Sequence, residues 1–551
     1  MHLRINSFRH VVLVLALSAS ALFAQKPKTQ IASHIPPDEA RRKSYSSFVW
    51  SNNEEFIISD RARGGSVFTI YNGKTMKKTG TFMLDYPEIG GKDADWVRRL
   101  FHQDKITSIY GYYDKREDVV KVYGKINDRK NKTIKKETVL MESYAKKKKY
   151  VGNLSTIISN DRSKILIFRE PAGKKYENEK MEMMLYDNEL KKIWSKELSF
   201  PYKNRSISVQ DILVTNDGKV SIVAYWSPTK EDVRENPSLK DQIIFKLFGV
   251  NESSSELDEI EISEKGYALS SCNGIIVDDT TNDIVFTGFY RDIKSKRSNL
   301  GVNGIYYFKL NTNNWELDIL KFNVIDDKTL TSILVGANTS KKSEKRAKKA
   351  VDRGYGLNNL ALKSIYVFAD GSVKMISQIQ YVVEVCTTDP RTNTTRCSYH
   401  YHNNQIVEFN LAGDGSLKST LVVPKQQVMV NAQFYNGHIA LIGGTNTYYF
   451  YNDNDLNYNA KKVSKRGNNN FFYTFNGRKK SRLCYVTFDN KGKPVKRPMF
   501  DHWKQNVFIF PQDYARLNDI TIVTWGKIRK GKELVLFKIS MDENSKPGKK
   551  N

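Results

Sequence analysis

One histidine pair sits at strand spacing. His400 and His402 lie in CSYHYHNN, and the two-residue period of a strand puts both imidazoles on one face, as several metal sites require. A metal centre there needs a third ligand from elsewhere in the chain, and an exposed aromatic hairpin accounts for the same residues without a metal. Tyr399 and Tyr401 fall on the opposite face and, with the histidines, make a partner-binding patch. A second concentration of chemistry is basic. Lys341, Lys342, Lys345, Arg346, Lys348 and Lys349 crowd nine positions of SKKSEKRAKKAV. That run can form a short helix but lacks a wide apolar face, so it reads as a basic docking arm or a solvated loop.

The familiar catalytic spacings are missing from the sequence. There is no G-x-S-x-G nucleophile elbow, no H-E-x-x-H zinc-protease helix and no G-x-x-x-x-G-K-[ST] phosphate loop. No cofactor is expected. Acids recur as Asp93 with Asp95, Asp278 with Asp279, and Asp326 with Asp327. Adjacent acids on a strand point to opposite faces, whereas a glycosidase needs two carboxyls facing one cleft about 5 to 10 Å apart. Residues 452–459, NDNDLNYN, alternate oxygen donors but lack the Gly and the closing Glu of a calcium loop, and read as a polar hairpin loop.

The four cysteines are Cys272, Cys386, Cys397 and Cys484, with no C-x-x-C spacing. Cys386 and Cys397 flank TTDPRTNTTR between two strand-like runs, so paired strands would bring them within disulfide reach. Cys272 and Cys484 read as buried small hydrophobes. The start of the chain predicts export. Arg4 and Arg9 precede an apolar stretch at 11–19, and Ala24 before Gln25 marks the expected cleavage point. No other apolar run approaches the roughly 18 residues of a membrane helix. Removing residues 1–24 takes two cations from a net charge of +28, leaving 28 − 2 = +26. On an exported chain that excess suits an acidic protein or anionic glycan of the envelope rather than nucleic acid.

The chain that positions these residues has 551 residues, 40% of them hydrophobic and 12% aromatic, enough for a sizeable core with a β bias. Apolar runs recur at 56–59, 106–113, 165–168, 220–226, 284–290, 373–383, 439–443 and 520–525. Between them stand Asn-Gly at Asn72, Asn273, Asn303, Asn436 and Asn476, and Asp-Gly at Asp217, Asp370 and Asp414. These dipeptides reach the positive φ of hairpin turns at little cost. Successive runs start 50 to 89 residues apart, room for a four-stranded sheet with loops. The pattern predicts an all-β chain: a single propeller of seven or eight antiparallel blades at 45–540. A signal peptide at 1–24 and a linker at 25–44 precede it. The Lys-rich insertion falls at 338–352 and a flexible tail at 541–551. Two β-sandwich domains are the alternative.

The segment IYVFADGSVKMISQIQYVVEV, the YHYHNNQIVEFNLAGDGSLKSTLVVPKQQ that follows its polar loop, and the ending RLCYVTFDNKGKPVKRPMFDHWKQNVFIFPQDY resemble uncharacterised exported proteins of Bacteroidota. That resemblance implies an exported propeller-like fold and carries no catalytic residues with it. With loops both basic and aromatic, the leading expectation is a non-enzymatic binding or scaffold protein of the cell envelope, periplasmic, outer-membrane-associated or extracellular. The alternative is a hydrolase or lyase acting on polysaccharide or peptide at the propeller mouth.

Overall fold

The computed structural model describes residues 27–32 and 47–541, apart from 90, 103, 175–176, 240–243, 255, 263–265, 270–273, 279–280, 293–300, 337–339, 432, 444–445, 459–480 and 529–532. Among the described residues the strands form eight antiparallel blades, each built on a path of four strands. The blades span 47–85, 96–144, 153–203, 207–262, 267–324, 360–430, 439–501 and 507–540 in chain order. Blades 5 and 6 each carry one further strand, Gly274–Val277 and Gln427–Val430.

The apolar runs explain why the sheets stack in a ring. In the blade 3 strand Lys164–Glu170, Ile165 and Ile167 pack into a core shared with blade 2, while Leu166 and Phe168 pack into a core shared with blade 4. Both faces of the strand are buried, so it reads as an unbroken apolar run rather than an alternation. Other hydrophobic clusters join blades 4 to 5, 5 to 6, 6 to 7, 7 to 8 and 1 to 2. The ring closes where Phe56, Ile58 and Tyr71 of blade 1 pack on Phe510, Val523 and Trp525 of blade 8. Two separate sandwiches would leave such sheets with one solvated face each, so that alternative falls.

The fourth strand of blade 8 comes from the other end of the chain. Lys28–Ile31 pairs antiparallel with Leu534–Ser540, Lys28 opposite Ser540 and Ile31 opposite Phe537. The expected linker at 25–44 therefore contains a strand. All four of its residues are exposed, so KTQI carries no buried alternation by which a sequence reading could find it.

Strand direction gives the ring two unlike faces. Turns from first to second strand and from third to fourth emerge on one face. The turns from second to third, and the links to the next blade, emerge on the other. The first face is closed by tight turns. In seven of them, starting at Asp128, Ser159, Asp187, Thr215, Phe368, Ala412 and Asp489, the fourth residue donates its N–H to the first residue's carbonyl and takes a positive φ. This is a type I turn with a left-handed residue after it, which suits a right-twisted hairpin. Gly218, Gly371 and Gly415 of the expected Asp-Gly turns hold that fourth position. Asn303-Gly304 departs from expectation: Gly304 lies within the strand Gly304–Asn311, where a Cβ would meet the Tyr290 ring at 2.2 Å. Asn273 and Asn476 lie outside the described residues.

The wide face carries the long connections. Between blades 5 and 6 stand two helices, Asp327–Val335 and Lys341–Val351, capped by Asp326 and Ser340 through bonds to the N–H groups of Thr329 and Ser343. The Lys-rich run is thus helical; its narrow apolar edge, Ala347 and Val351, is buried. From blade 6 projects a hairpin of two long strands, Val373–Asp389 and Thr394–Leu411, in which Cys386 pairs with Cys397 and is disulfide-bonded to it. Asp389 starts the connecting turn. Cys484 is a buried free thiol; Cys272, like the expected signal segment and the C-terminal tail after Met541, lies outside the described residues. No helix among the described residues is long and apolar enough to cross a membrane.

Candidate functional site

A cavity of about 240 Å³ opens where the first strands of blades 6, 7 and 8 come together. First strands line a propeller's axis, and the loops beside this cavity belong to the wide face. Two bulges aim side chains into it. In the first strand of blade 6, Leu360–Val367, the register slips between Leu362 and Ser364, and Lys363 is the extra residue. In the first strand of blade 8, Val507–Asn518, the slip from Phe510 to Tyr514 leaves Pro511, Gln512 and Asp513 unpaired, and the first two line the cavity. Gln378, Gln380 and Asn403, at the root of the blade 6 hairpin, complete one wall, and His438 the other.

His438 is held by its approach. The Gly437 N–H donates to Gln427 Oε1 (2.9 Å), and Gln427 Nε2 donates to the Asn452 carbonyl (2.7 Å). Asn436 Nδ2 donates to the Tyr401 carbonyl (3.0 Å), and the Tyr399 N–H donates to Asn431 Oδ1 (2.8 Å). The loop before His438 is thereby sewn to the hairpin strand that carries both tyrosines.

The tautomer of His438 follows from its partner. Gln378 Nε2 donates to the Asn404 carbonyl (3.3 Å), which leaves Gln378 Oε1 as the acceptor for His438 Nδ1–H (3.1 Å). The proton therefore sits on Nδ1, and Nε2 offers its lone pair. Burial, then the charges of Lys425 and Lys363, keep the imidazole pKa well below its ordinary value. Lys425 lies behind the wall, 1% exposed, its Nζ donating to the Asn403 carbonyl (3.2 Å). Burial holds that amine well below the ordinary lysine range. Tyr514 lines the cavity half-buried, and burial raises its phenol pKa, so it stays protonated at neutral pH.

The residues singled out by spacing lie elsewhere. His400 and His402 share a strand face as expected. His402 stacks on Tyr381 with ring centroids 4.4 Å apart, and His400 Nε2 lies 3.2 Å from Ser398 Oγ. Among the described residues the one three-ligand grouping is Glu384 with Cys386 and Cys397, and the disulfide removes both thiolates. Among the described residues no third ligand joins His400 and His402. Tyr399 and Tyr401 face the other way across the register from Glu384 and Val382, and Tyr399 is 45% exposed. The six cations at 341–349 are exposed. Of the oxygen-rich stretch, Asn452 and Asp453 are buried in a strand, Asn452 Nδ2 donating to the Tyr435 and Ile509 carbonyls.

A larger cleft, about 390 Å³, lies between the last strand of blade 1 and blade 2, lined by Asp85, Glu88, Glu137, Lys125 and Lys136. It is peripheral, and its three acids are exposed. The axial cavity has no carboxylate in its lining.

No family model matches the chain, and no curated protein does. Solved structures do. A polysaccharide lyase aligns over 94% of this chain and 98% of its own, at 10% identity and a TM-score of 0.37. Prolyl oligopeptidase B from Galerina marginata aligns over 91% of this chain and 56% of its own, at 8% identity and a TM-score of 0.35. A post-proline cleaving enzyme from Rickettsia typhi aligns over 79% and 50%, at 10% identity and a TM-score of 0.32. The leading sequence expectation, a non-enzymatic binding or scaffold protein, is corrected here: these neighbours are a lyase and peptidases, on the side of the hydrolase-or-lyase alternative.

Proposed function

We propose that this protein is a polysaccharide lyase that cleaves an acidic glycan by β-elimination in the axial cavity. The observation supporting this is His438: an imidazole kept neutral, with Nδ1–H committed to Gln378 and Nε2 without a hydrogen-bond partner among the described residues. A glycosidase pair of carboxyls has no counterpart in the lining. Ser364 lines the cavity, but no hydrogen bond joins a serine to His438 among the described residues, so an activated-serine route lacks its base contact.

In this reading Lys363, with the amides of Gln380 and Gln512, holds the uronate carboxylate and stabilises the charge that develops there. His438 Nε2 takes the proton α to that carboxylate. The C–H electron pair becomes the new C=C bond, the glycosidic C–O bond breaks, and the Tyr514 phenol gives its proton to the departing oxygen. Export, expected from residues 1–24 and from the Bacteroidota resemblance, would put such an enzyme in the envelope or outside the cell, where polymeric glycan is met.

The test is product formation from polygalacturonate and alginate, read as the absorbance of an unsaturated uronate end. Wild type produces it, and His438→Gln lowers the rate by about 100-fold or more, the scale of a lost general base. Undiminished product from H438Q overturns the assignment, as does wild-type cleavage that yields no double bond.

A further inference from the structure

The basic helix Lys341–Val351 has two sides. At 100° per residue, Lys341, Lys342, Lys345, Arg346, Lys348 and Lys349 fall within an arc of about 160°, centred opposite Ala347 and Val351. The apolar side is buried, Val351 sharing a core with Leu330 and Ile333 of the companion helix and with blades 5 and 6. The cationic side is exposed along its length, about 12 Å from Lys341 to Lys349. None of the six has an ion pair or hydrogen bond among the described residues, and the helix's lone acid, Glu344, lies outside their arc. Six like charges on one face repel each other, and at a screening length of about 8 Å they act together.

The helix is fixed relative to the cavity. Gln405 Nε2 donates to the Ile333 carbonyl (2.8 Å), tying the companion helix to the strand Thr394–Leu411 two residues from Asn403 of the cavity wall. Both sites belong to the wide face.

We infer that the cationic face of this helix is a docking site for the polyanionic glycan whose acidic unit enters the axial cavity. The inference rests on the lyase reading for the identity of that glycan. A uronate polymer repeats its charge along its length and meets a row of cations at matching scale. Releasing its counterions drives capture and makes it salt-dependent.

The experiment measures equilibrium binding of the full chain to polygalacturonate across a salt series, with neutral dextran as control and a DNA duplex as competitor. The variant carries Gln at all six cations; since each is exposed, its melting temperature should match wild type. Wild-type affinity is expected to fall steeply with salt, and the variant to bind about tenfold or more weakly at low salt with a flatter slope. Equal binding by both proteins overturns the docking site, and duplex binding with no polygalacturonate binding overturns its assignment to glycan. Salt-dependent capture that needs the six cations, in a protein that forms no unsaturated product, leaves the docking site standing and removes the lyase reading.

Discussion

Two imidazoles, one half-buried and one fully buried, differ in surroundings. His438 borders the cavity, whereas His502 is fully buried with Nδ1 3.0 Å from Ser481 Oγ, between the rings of Phe500 and Phe508. Burial pushes the His502 pKa down to about 3. Its unfolded value is about 6.5, so the unfolded chain binds the extra proton between these limits. The stability His502 contributes is complete above pH 6.5 and drains away as pH falls toward 3, roughly 5 kcal/mol over the whole window. His502→Phe keeps the aromatic packing and removes the proton site; its melting temperature should lose less than wild type's between pH 7 and pH 4. Under the lyase reading the readout for His438 is a rate, which should rise with pH along a limb below 6.5 and then level, since only neutral imidazole accepts a proton. Gln378→Leu frees the tautomer. It should lower kcat more than it raises KM and move that limb, which a merely structural change would leave in place.

The hairpin of blade 6 positions His438. Its strand Thr394–Leu411 anchors Asn431 and Asn436, and thus the approach to His438, through the Tyr399 N–H and the Tyr401 carbonyl. Ser at both Cys386 and Cys397 unlocks the outer part, whose tip is exposed. Closing a loop of this length is worth about 3 kcal/mol in the chain-entropy account. That loss should appear locally: faster amide exchange at 382–400 and a lower kcat, with the global melting temperature little changed. The hairpin also marks how far the sequence could be read. Its strands, turn and cysteine pairing were legible because they are local. All eight apolar runs fall one to a blade, seven of them in second strands and one, 439–443, in the first strand of blade 7. They were visible because burial on both faces writes a continuous apolar signature. The site was not legible. Gln378 and His438 stand 60 positions apart, so no spacing joins them, and the adjacent pair His400 and His402 drew attention only by adjacency.

At the scale of the ring, closure depends on contacts between the chain's distant ends. Lys28–Ile31 gives the last blade its fourth strand, and without it Leu534–Ser540 becomes an unpaired edge. Such an edge can recruit another chain. Deleting residues 28–31 should lower the melting temperature and produce aggregates detectable by light scattering, while substitutions that keep the backbone pairing, such as Thr29→Val, should do neither. Stable monomers after the deletion would mean that the side-chain core between blades 1 and 8 closes the ring unaided.

Strand direction has one more consequence, for reach. Leu534–Ser540 runs from the wide face toward the tight-turn face, and Lys28–Ile31 returns antiparallel beside it, so Lys28 and Met541 emerge together on the tight-turn side. A support coupled through either point would hold the molecule with its cavity turned outward. The basic helix would sit at the leading surface, where an approaching polymer arrives first.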